Sequence, residues 1–155
     1  MYDLEVKIMR IFNTYGPRMR SNDGRVVSNL IIQGLSSQSM SLYGDGLQTR
    51  SFCYVDDLIE GLIKLMDSQE SGPINLGNPN ETTILDLARL ISKKLNIKEK
   101  FIFKELPQDD PLQRKPDIKL AKKALSWEPK ININEGLNKT IPWFKEEIHK
   151  EFQKK

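Results

Sequence analysis

The sequence contains only one cysteine and one histidine, and these low counts exclude several kinds of site. Cys53 has no second cysteine to pair with, so an internal disulfide is excluded. It falls in a predicted strand, where a small buried thiol is the usual state. His149 lies in a polar carboxy-terminal tail rich in Lys and Glu, so neither a histidine-based catalytic triad nor a histidine metal cluster is expected.

Long hydrophobic runs are also missing. Charged residues interrupt every apolar stretch within a few positions, so no transmembrane helix is predicted and no membrane partner is expected. The first residues lack a basic segment followed by an apolar run, so we expect no signal peptide and a cytoplasmic protein. The excess of 24 basic over 21 acidic side chains is small, and aromatic residues do not interleave with it, so nucleic-acid binding ranks last among the functions considered.

Two phosphate-binding motifs are absent as well. The sequence has no G-x-G-x-x-G or G-x-x-G-x-x-G turn and no Walker loop. The chain therefore does not itself encode the phosphate-cradling turn of a dinucleotide-binding fold.

What is present predicts a mixed α/β chain. Residues 4–12 form a β-rich run, interpreted as a buried strand, and apolar spacing predicts a helix over 25–37. Asp45-Gly46 is a strong hairpin signal, so 49–55 is expected to return as the partner of a strand ending near Tyr43. A helix over 56–67 is predicted to direct its apolar residues inward, namely Leu58, Ile59, Leu62, Ile63 and Met66.

The second half alternates in the same way. Short strands are predicted at 73–76 and 101–103, with a polar loop over 107–116 and a helix over 117–125. Thr83 followed by Asp86 resembles a capping box at the start of another helix. Asn132 or Asn134 is expected to begin the last helix, which Pro142 should kink.

The length of 155 residues suits a single domain. A buried strand at the very start of a chain, with no earlier strand to pair with, indicates a sheet that lies elsewhere. We expect either that another chain supplies that sheet or that the sequence is truncated.

Several arginines lie in loops, where guanidinium groups are suited to bind phosphate or carboxylate. Arg18, Arg20 and Arg25 flank a Gly/Asn-rich loop, Arg50 follows the Asp-Gly turn, and Arg114 precedes a proline in an acidic loop. Loop arginines are more often solvated than functional, so convergence on one anion is a hypothesis at this point.

Three motifs add a family resemblance. Residues 10–19 (RIFNTYGPRM), 42–52 (LYGDGLQTRSF) followed by 54–57 (YVDD), and 75–79 (NLGNP) resemble signatures of the extended short-chain dehydrogenase/reductase family, whose members are NAD(P)-dependent enzymes acting on nucleotide sugars. Residues 22–29, 108–111, 114–118 and 125–129 are similar to the subgroup that decarboxylates UDP-glucuronate to UDP-xylose and CO2. In that subgroup NAD oxidises the sugar at C4, the resulting β-keto acid loses its carboxylate, and the intermediate is reduced again.

The resemblance implies a fold: the carboxy-terminal part of an extended Rossmann-type enzyme. Residues 1–155 would form one substrate-binding domain, small and mixed α/β, with 1–17 as the remnant of a Rossmann sheet strand and its loop. The family's catalytic Tyr-x-x-x-Lys pair is missing, because no tyrosine of the sequence is followed by lysine four positions later. We therefore expect the chain to be inactive alone.

The resemblance also implies roles for single residues. Asn13 and Arg50 are expected to bind the UDP pyrophosphate and sugar, Tyr43 the uracil or ribose, and Arg114 the sugar carboxylate. Arg25 is expected near the nucleotide sugar or NAD. Thr14 and Arg20 occupy positions that contact NAD in the family. The family mechanism makes Arg114 a proton donor, but the pKa of arginine is so high that we expect a binding and electrostatic role.

Simpler interpretations of these residues stay open at this point. Asn13 can merely cap a strand, Arg50 can merely pair with Asp45 or Asp56, and Tyr43 can be hairpin core. Three functions also stay open besides that of a truncated decarboxylase: half of a split enzyme whose NAD-binding half is a separate chain, a fragment of a related epimerase or dehydratase, and a noncatalytic scaffold. A homo-oligomer is possible in each case, and no metal is expected.

Overall fold

The computed structural model describes residues 4–106 and 113–153, and within them short strands alternate with helices. The helices are α1 (Val26–Leu35), α2 (Val55–Asp67), α3 (Ile84–Leu95), α4 (Lys119–Leu125) and α5 (Ile133–Gln153). The strands are β1 (Met9–Ile11), β2 (Thr14–Tyr15), β3 (Met40–Tyr43), β4 (Thr49–Ser51), β5 (Cys53–Tyr54), β6 (Ile74–Leu76), β7 (Glu81–Thr83), β8 (Phe101–Lys104) and β9 (Gln113–Arg114).

Most strand pairs are parallel, as the α/β prediction requires. β1 pairs with β6, β2 with β5, and β3 with β8, each pair parallel. The fourth sheet has the order β7-β4-β9, in which β4 is antiparallel to β7 and parallel to β9. Helical segments separate the members of most of these pairs along the chain, as parallel connections require.

The opening strand is shorter than predicted, and two expectations about it are wrong. It pairs within the chain, because Met9 to Ile11 lie in register with Ile74 to Leu76. It is also not buried: Leu4, Val6, Ile8 and Ile11 are all at least half exposed. The apolar sequence is that of a buried strand, but the described chain places nothing over it. Within the described residues, the other edge of β1 has no partner strand.

The predicted hairpin is also wrong. β3 pairs with β8, and β4 pairs with β7 and β9, so the strands on either side of the Asp-Gly turn do not pair with each other. The turn itself forms: Gly44 and Gly46 have φ angles of 59° and 76°, and the Asp45 carboxylate accepts a hydrogen bond from the amide of Leu47 (2.9 Å). The amide of Leu85 then donates to the carbonyl of Gly46 (3.0 Å), which directs the chain toward β7 and α3 instead.

Two helix starts match the sequence signals, those of α3 and α5. The hydroxyl of Thr83 accepts a hydrogen bond from the amide of Asp86 (3.0 Å), which confirms the cap at the start of α3. The side chain of Asn132 accepts from the amide of Glu135 (2.9 Å), so Asn132 rather than Asn134 caps α5. Helix α5 continues through Pro142.

The inner face of α2 differs from the prediction. Leu58 and Leu65 are buried, whereas Ile59, Ile63 and Met66 are 46%, 52% and 62% exposed. The apolar side chains of α2 span a wider arc of the helix than the rest of the described chain buries. These three residues and the exposed apolar residues of 4–11 are referred to below as the open face.

The core has two parts. The larger part gathers buried residues of α1, α3, α5 and β3 around Tyr15, whose ring meets the rings of Phe52 and Tyr54 edge-on. The smaller part packs α2, β6 and α4 around Trp127, which is 1% exposed. The indole N–H of Trp127 donates to the carbonyl of Asp57 (2.9 Å), so the one polar atom of this buried side chain has a partner.

Three short strands were not anticipated: β2, β7 and β9 are each two or three residues long and lie in predicted loops. The motif at 108–111 lies outside the described residues. A search of the described helices for one long and apolar enough to cross a membrane finds none.

Candidate functional site

The sequence-predicted binding residues surround a cavity of about 300 Å3. Its wall is built from the junction of β1 and β2, the first turns of α1, the end of β3 and the neighbouring strands β4 and β9. Four of the predicted residues lie there together, namely Asn13, Tyr43, Arg50 and Arg114. Among the described residues that line this cavity, two are arginines and none is acidic, which favours an anionic ligand.

The two arginines are neighbours because of strand register. Arg50 of β4 lies opposite Arg114 of β9 in a parallel pair. Residues opposite each other in paired strands project from the same side of a sheet, so both guanidinium groups reach the same cavity. The sequence does not show this proximity, because Arg114 lies more than sixty positions after Arg50.

Arg50 is held in place by burial. The residue is only 7% exposed, and its Nη1 donates a hydrogen bond to the carbonyl of Thr49 (2.8 Å). Charged side chains are rarely this buried unless their environment pairs them, and a guanidinium in a cavity wall is preorganised to bind a phosphate or carboxylate. Arg114, by contrast, is exposed, and within the described part of the chain its guanidinium has no hydrogen-bond or ion-pair partner.

Asn13 lies where β1 ends and β2 begins. Its carbonyl accepts a hydrogen bond from the amide of Cys53 (2.8 Å), which fixes the backbone between the two strand pairs. Its side-chain amide lines the cavity and has no hydrogen-bond partner among the residues described. A strand cap would need such a partner, so the geometry favours ligand binding over the capping role.

Tyr43 ends β3 at the far wall of the cavity. It is 45% exposed, and since the hairpin does not exist, a role as hairpin core is wrong. The side-chain amide of Gln48 donates to the Tyr43 carbonyl (2.9 Å), which closes the turn around Gly44 and Gly46 against the end of the strand.

A second cavity of about 520 Å3 adjoins the first and shares Asn13, Val26 and Arg114 with it. Thr14 and Arg25 line this second cavity. The Thr14 hydroxyl donates to the carbonyl of Phe12 (2.8 Å), and Arg25 forms an exposed ion pair with Asp23 (3.8 Å). Arg25 thus lines the second cavity and not the first. Its position near the nucleotide sugar or NAD stays a prediction.

Arg20 does not join the others. It is exposed, and neither of the two cavities includes it in its wall. Of the three residues predicted to contact NAD, two share one open cavity and the third lies apart. The roles of these three residues at NAD stay predictions.

Sequence reasoning missed three polar residues of the first cavity: Asn29, Ser41 and Gln48. Asn29 follows Arg25 by about one helical turn, a spacing that places both at the same end and side of α1. Gln48 lies just after the Asp-Gly turn, and Tyr43 lies just before it. Ser41 alternates with Leu42 along β3 and so faces the cavity while Leu42 faces the core.

Two buried titratable groups, Cys53 and Tyr15, do not line the first cavity. Burial raises the pKa of the Cys53 thiol to about 12, and burial also raises the pKa of Tyr15. Both therefore stay protonated near neutral pH. A search of the described residues finds no group of His, Cys, Asp and Glu side chains that could hold a metal ion.

Comparisons with known proteins find related sequences. The family model described as "NAD dependent epimerase/dehydratase family" matches residues 1–77. UDP-glucuronic acid decarboxylase 1 of Xenopus tropicalis is 52% identical over 145 residues, which are 94% of this chain and 34% of the relative. The protein of the same name from Arabidopsis thaliana is also 52% identical, over 94% of this chain and 33% of the relative. The chain thus spans about a third of the length of these relatives.

Solved structures show the same fold. A UDP-glucuronic acid 4-epimerase from Bacillus cereus, in complex with UDP-glucuronic acid and NAD, matches 92% of this chain and 46% of its own with a TM-score of 0.85 and 29% identity. A UDP-glucose 4-epimerase from Thermotoga maritima, with UDP-glucose, matches 95% of this chain and 48% of its own with a TM-score of 0.89 and 28% identity. The fold prediction is confirmed, and the chain belongs to the NAD-dependent epimerase/dehydratase family.

Proposed function

We propose that this chain supplies the nucleotide-sugar-binding part of a UDP-glucuronate decarboxylase, which forms UDP-xylose and CO2. The observation that carries the proposal is the register pairing of Arg50 and Arg114 in one cavity that has no acidic residue among its described lining. Two separate guanidinium groups match a ligand with two anionic parts, a pyrophosphate and a carboxylate.

Each residue then has a task at the substrate. Arg50, buried and rigid, binds the pyrophosphate together with the side-chain amide of Asn13. Arg114 binds the sugar carboxylate and holds it until CO2 leaves. Tyr43 contacts the uracil or ribose from the far wall. The similarity to decarboxylases at about 50% identity supports this substrate.

The redox chemistry requires groups that this sequence does not contain. NAD supplies the hydride chemistry in the family, and neither a glycine-rich turn nor a Tyr-x-x-x-Lys pair occurs in the 155 residues. Thr14 and Arg25 would border the NAD end of the substrate, and Arg20 lies outside both cavities. We therefore propose that the chain is inactive by itself and works with an NAD-binding half.

The open face supports a partner of that kind. Among the described residues β1 has one unpaired edge, the segment 4–11 carries apolar residues that are at least half exposed, and Ile59 and Ile63 of α2 are exposed as well. An unpaired strand edge beside apolar side chains is suited to receive a further parallel strand. Whether that half belongs to a separate chain or to the same one, the same surface would receive it.

A 4-epimerase is the second candidate. The structural similarity to an epimerase holding UDP-glucuronic acid favours it, since that enzyme uses the same sugar nucleotide. An epimerase keeps the carboxylate, whereas a decarboxylase releases it, so the product separates the two functions.

The test is a chimera in which this chain replaces the matching stretch of the Arabidopsis decarboxylase. We expect NAD binding and conversion of UDP-glucuronate to UDP-xylose with release of CO2. Arg114→Ala should lower the rate by roughly a hundredfold or more, as the loss of a charge-stabilising donor does elsewhere. The matched control is Lys119→Ala, an exposed cation on α4.

Three outcomes decide the matter. UDP-xylose formation that depends on Arg114 supports decarboxylation. UDP-galacturonate without CO2 assigns the epimerase function instead. A folded chimera that binds NAD but leaves UDP-glucuronate unchanged contradicts both enzyme functions and favours the scaffold.

A further inference from the structure

A carboxylate outside the cavity connects the strands that form its wall. Oε1 of Glu81, on β7, accepts hydrogen bonds from the hydroxyl of Thr49 (2.8 Å) and from the side-chain amide of Gln113 (2.7 Å). Oε2 of the same side chain pairs with the ammonium of Lys115 (3.2 Å). The carboxylate therefore binds β4 on one side and both neighbours of Arg114 on the other.

Strand β9, which carries Arg114, is a short edge strand. It consists of Gln113 and Arg114, both exposed, and among the described strands its partner is β4. The hydroxyl of Ser51 donates to the Arg114 carbonyl (3.0 Å). A strand this short is held mainly by side chains, because two paired residues offer few ladder hydrogen bonds.

The contacts of Glu81 are stronger than those of a neutral group would be. Hydrogen bonds to an ionised acceptor are shorter and stronger than neutral ones. These bonds from Gln113 and Thr49, with the Lys115 ion pair, hold the pKa of Glu81 below its ordinary range. The carboxylate is therefore ionised at neutral pH and keeps all three contacts.

We propose that Glu81 is a positioning residue that holds Arg114 at the cavity so that its guanidinium reads the carboxylate of the bound sugar. This inference rests on the proposed function and deepens it. Glu81 does not line either cavity, so its effect acts through Gln113 and Lys115. Because Arg50 is buried and anchored on β4, its binding to the pyrophosphate should not depend on Glu81.

The test compares two ligands that differ only at the sugar carboxylate. UDP-glucuronate and UDP-glucose are titrated by calorimetry into the chain and its variants, and the ratio of the two dissociation constants reports the carboxylate contact. We expect the unaltered chain to prefer UDP-glucuronate by roughly tenfold, the size of one charge-assisted contact. Glu81→Ala should abolish this preference, as Arg114→Ala also should. It should leave the affinity for UDP-glucose unchanged.

Conservative variants separate positioning from folding. Glu81→Gln keeps an oxygen that can accept the Thr49 and Gln113 bonds, so it should retain most of the preference. Gln113→Ala removes a single contact and should lower the preference partially, even if Glu81→Ala does not fold. Arg50→Ala should weaken both ligands equally. Glu128→Ala is the control, because its ion pair with Lys122 lies on another part of the surface.

A second readout needs no ligand. Hydrogen exchange of the peptide spanning 113–116 should be faster in Glu81→Ala by roughly tenfold, while exchange in α3 stays unchanged. A folded Glu81→Ala variant with an unaltered ligand preference overturns the positioning role and leaves the proposed function intact. If the unaltered chain binds neither ligand, the proposed function fails and the positioning role fails with it.

Discussion

The cavity side of the molecule and the open face differ in whether the chain covers their apolar side chains. Around the cavity, buried residues of β3, β4, α1 and α3 enclose a polar site, and Arg50 itself is 7% exposed. On the open face, apolar side chains face outward: Val6 is 65% exposed and Met66 is 62% exposed. The described chain thus completes the first region and leaves the second without a cover.

The difference shows where the chain's own contacts are sufficient. The cavity wall comes from strands in fixed register within the described chain, so we propose that it binds the nucleotide sugar with its own residues. Exposed apolar residues in this number are unusual unless a partner covers them, so we propose that the open face receives the NAD-binding half.

The largest effect should distinguish the buried core from the open face. Phe144 of α5 is fully buried in the larger core, so Phe144→Ala should lower the free energy of unfolding by about 3–5 kcal/mol. Ile63→Ala, at a 52% exposed position on the open face, should change it by less than about 0.5 kcal/mol. Urea denaturation followed by circular dichroism measures both. Comparable losses would mean that the open face is packed.

The next effect concerns the connection between the two cores. Asp57 is buried, and its carboxylate accepts a hydrogen bond from the amide of Ile131 (2.9 Å). Asp57→Ala leaves that amide without its acceptor, so we expect a loss of roughly 2 kcal/mol in the same denaturation experiment. The matched control is Glu60→Ala, one helical turn after Asp57, which removes a partly exposed carboxylate that pairs with Lys130. An equal shift in the control would contradict a special role for Asp57.

The smallest predicted effect is a change in the free energy of unfolding with pH. Burial raises the pKa of Cys53 to about 12 from an ordinary value of 9.0. A group with a raised folded-state pKa stabilises the fold below its unfolded pKa, and this contribution is lost as pH rises between 9.0 and about 12. We expect a decrease of about 1 kcal/mol between pH 8 and pH 10, measured from denaturation midpoints.

Cys53→Ala serves as the control for this pH dependence. The variant should show a shallower decline over the same range, with the remaining slope due to groups such as Tyr15, whose pKa is also raised. An unchanged slope in the variant would rule out the Cys53 thiol as the source.

Local signals predicted local structure well. Capping side chains at Thr83 and Asn132 begin their helices, because a cap depends on residues only three positions apart. The hairpin at Asp45-Gly46 was wrong because β3 finds its partner in β8, which is distant in sequence. Long-range pairing of this kind leaves no mark on a short window of residues.

In the candidate site, too, some residues could be predicted from the sequence and others could not. Family motifs identified Asn13, Tyr43, Arg50 and Arg114, and the fold brings all four to one cavity. The motif resemblance placed Arg20 with Thr14 at NAD, but Arg20 lines neither of the two cavities. Glu81 could not be found from sequence, because its contacts depend on β7 and β9, two short strands that no periodicity indicates.

A nucleotide-sugar site built on Arg50 is tested by calorimetric titration of the purified, folded chain with UDP, beside Arg50→Ala and the control Lys119→Ala. We expect saturable binding by the unaltered chain and by the control, and a loss of roughly tenfold or more in affinity for Arg50→Ala. Absence of UDP binding by the folded chain, or equal binding by the Arg50 variant, would contradict a nucleotide-sugar site built on Arg50.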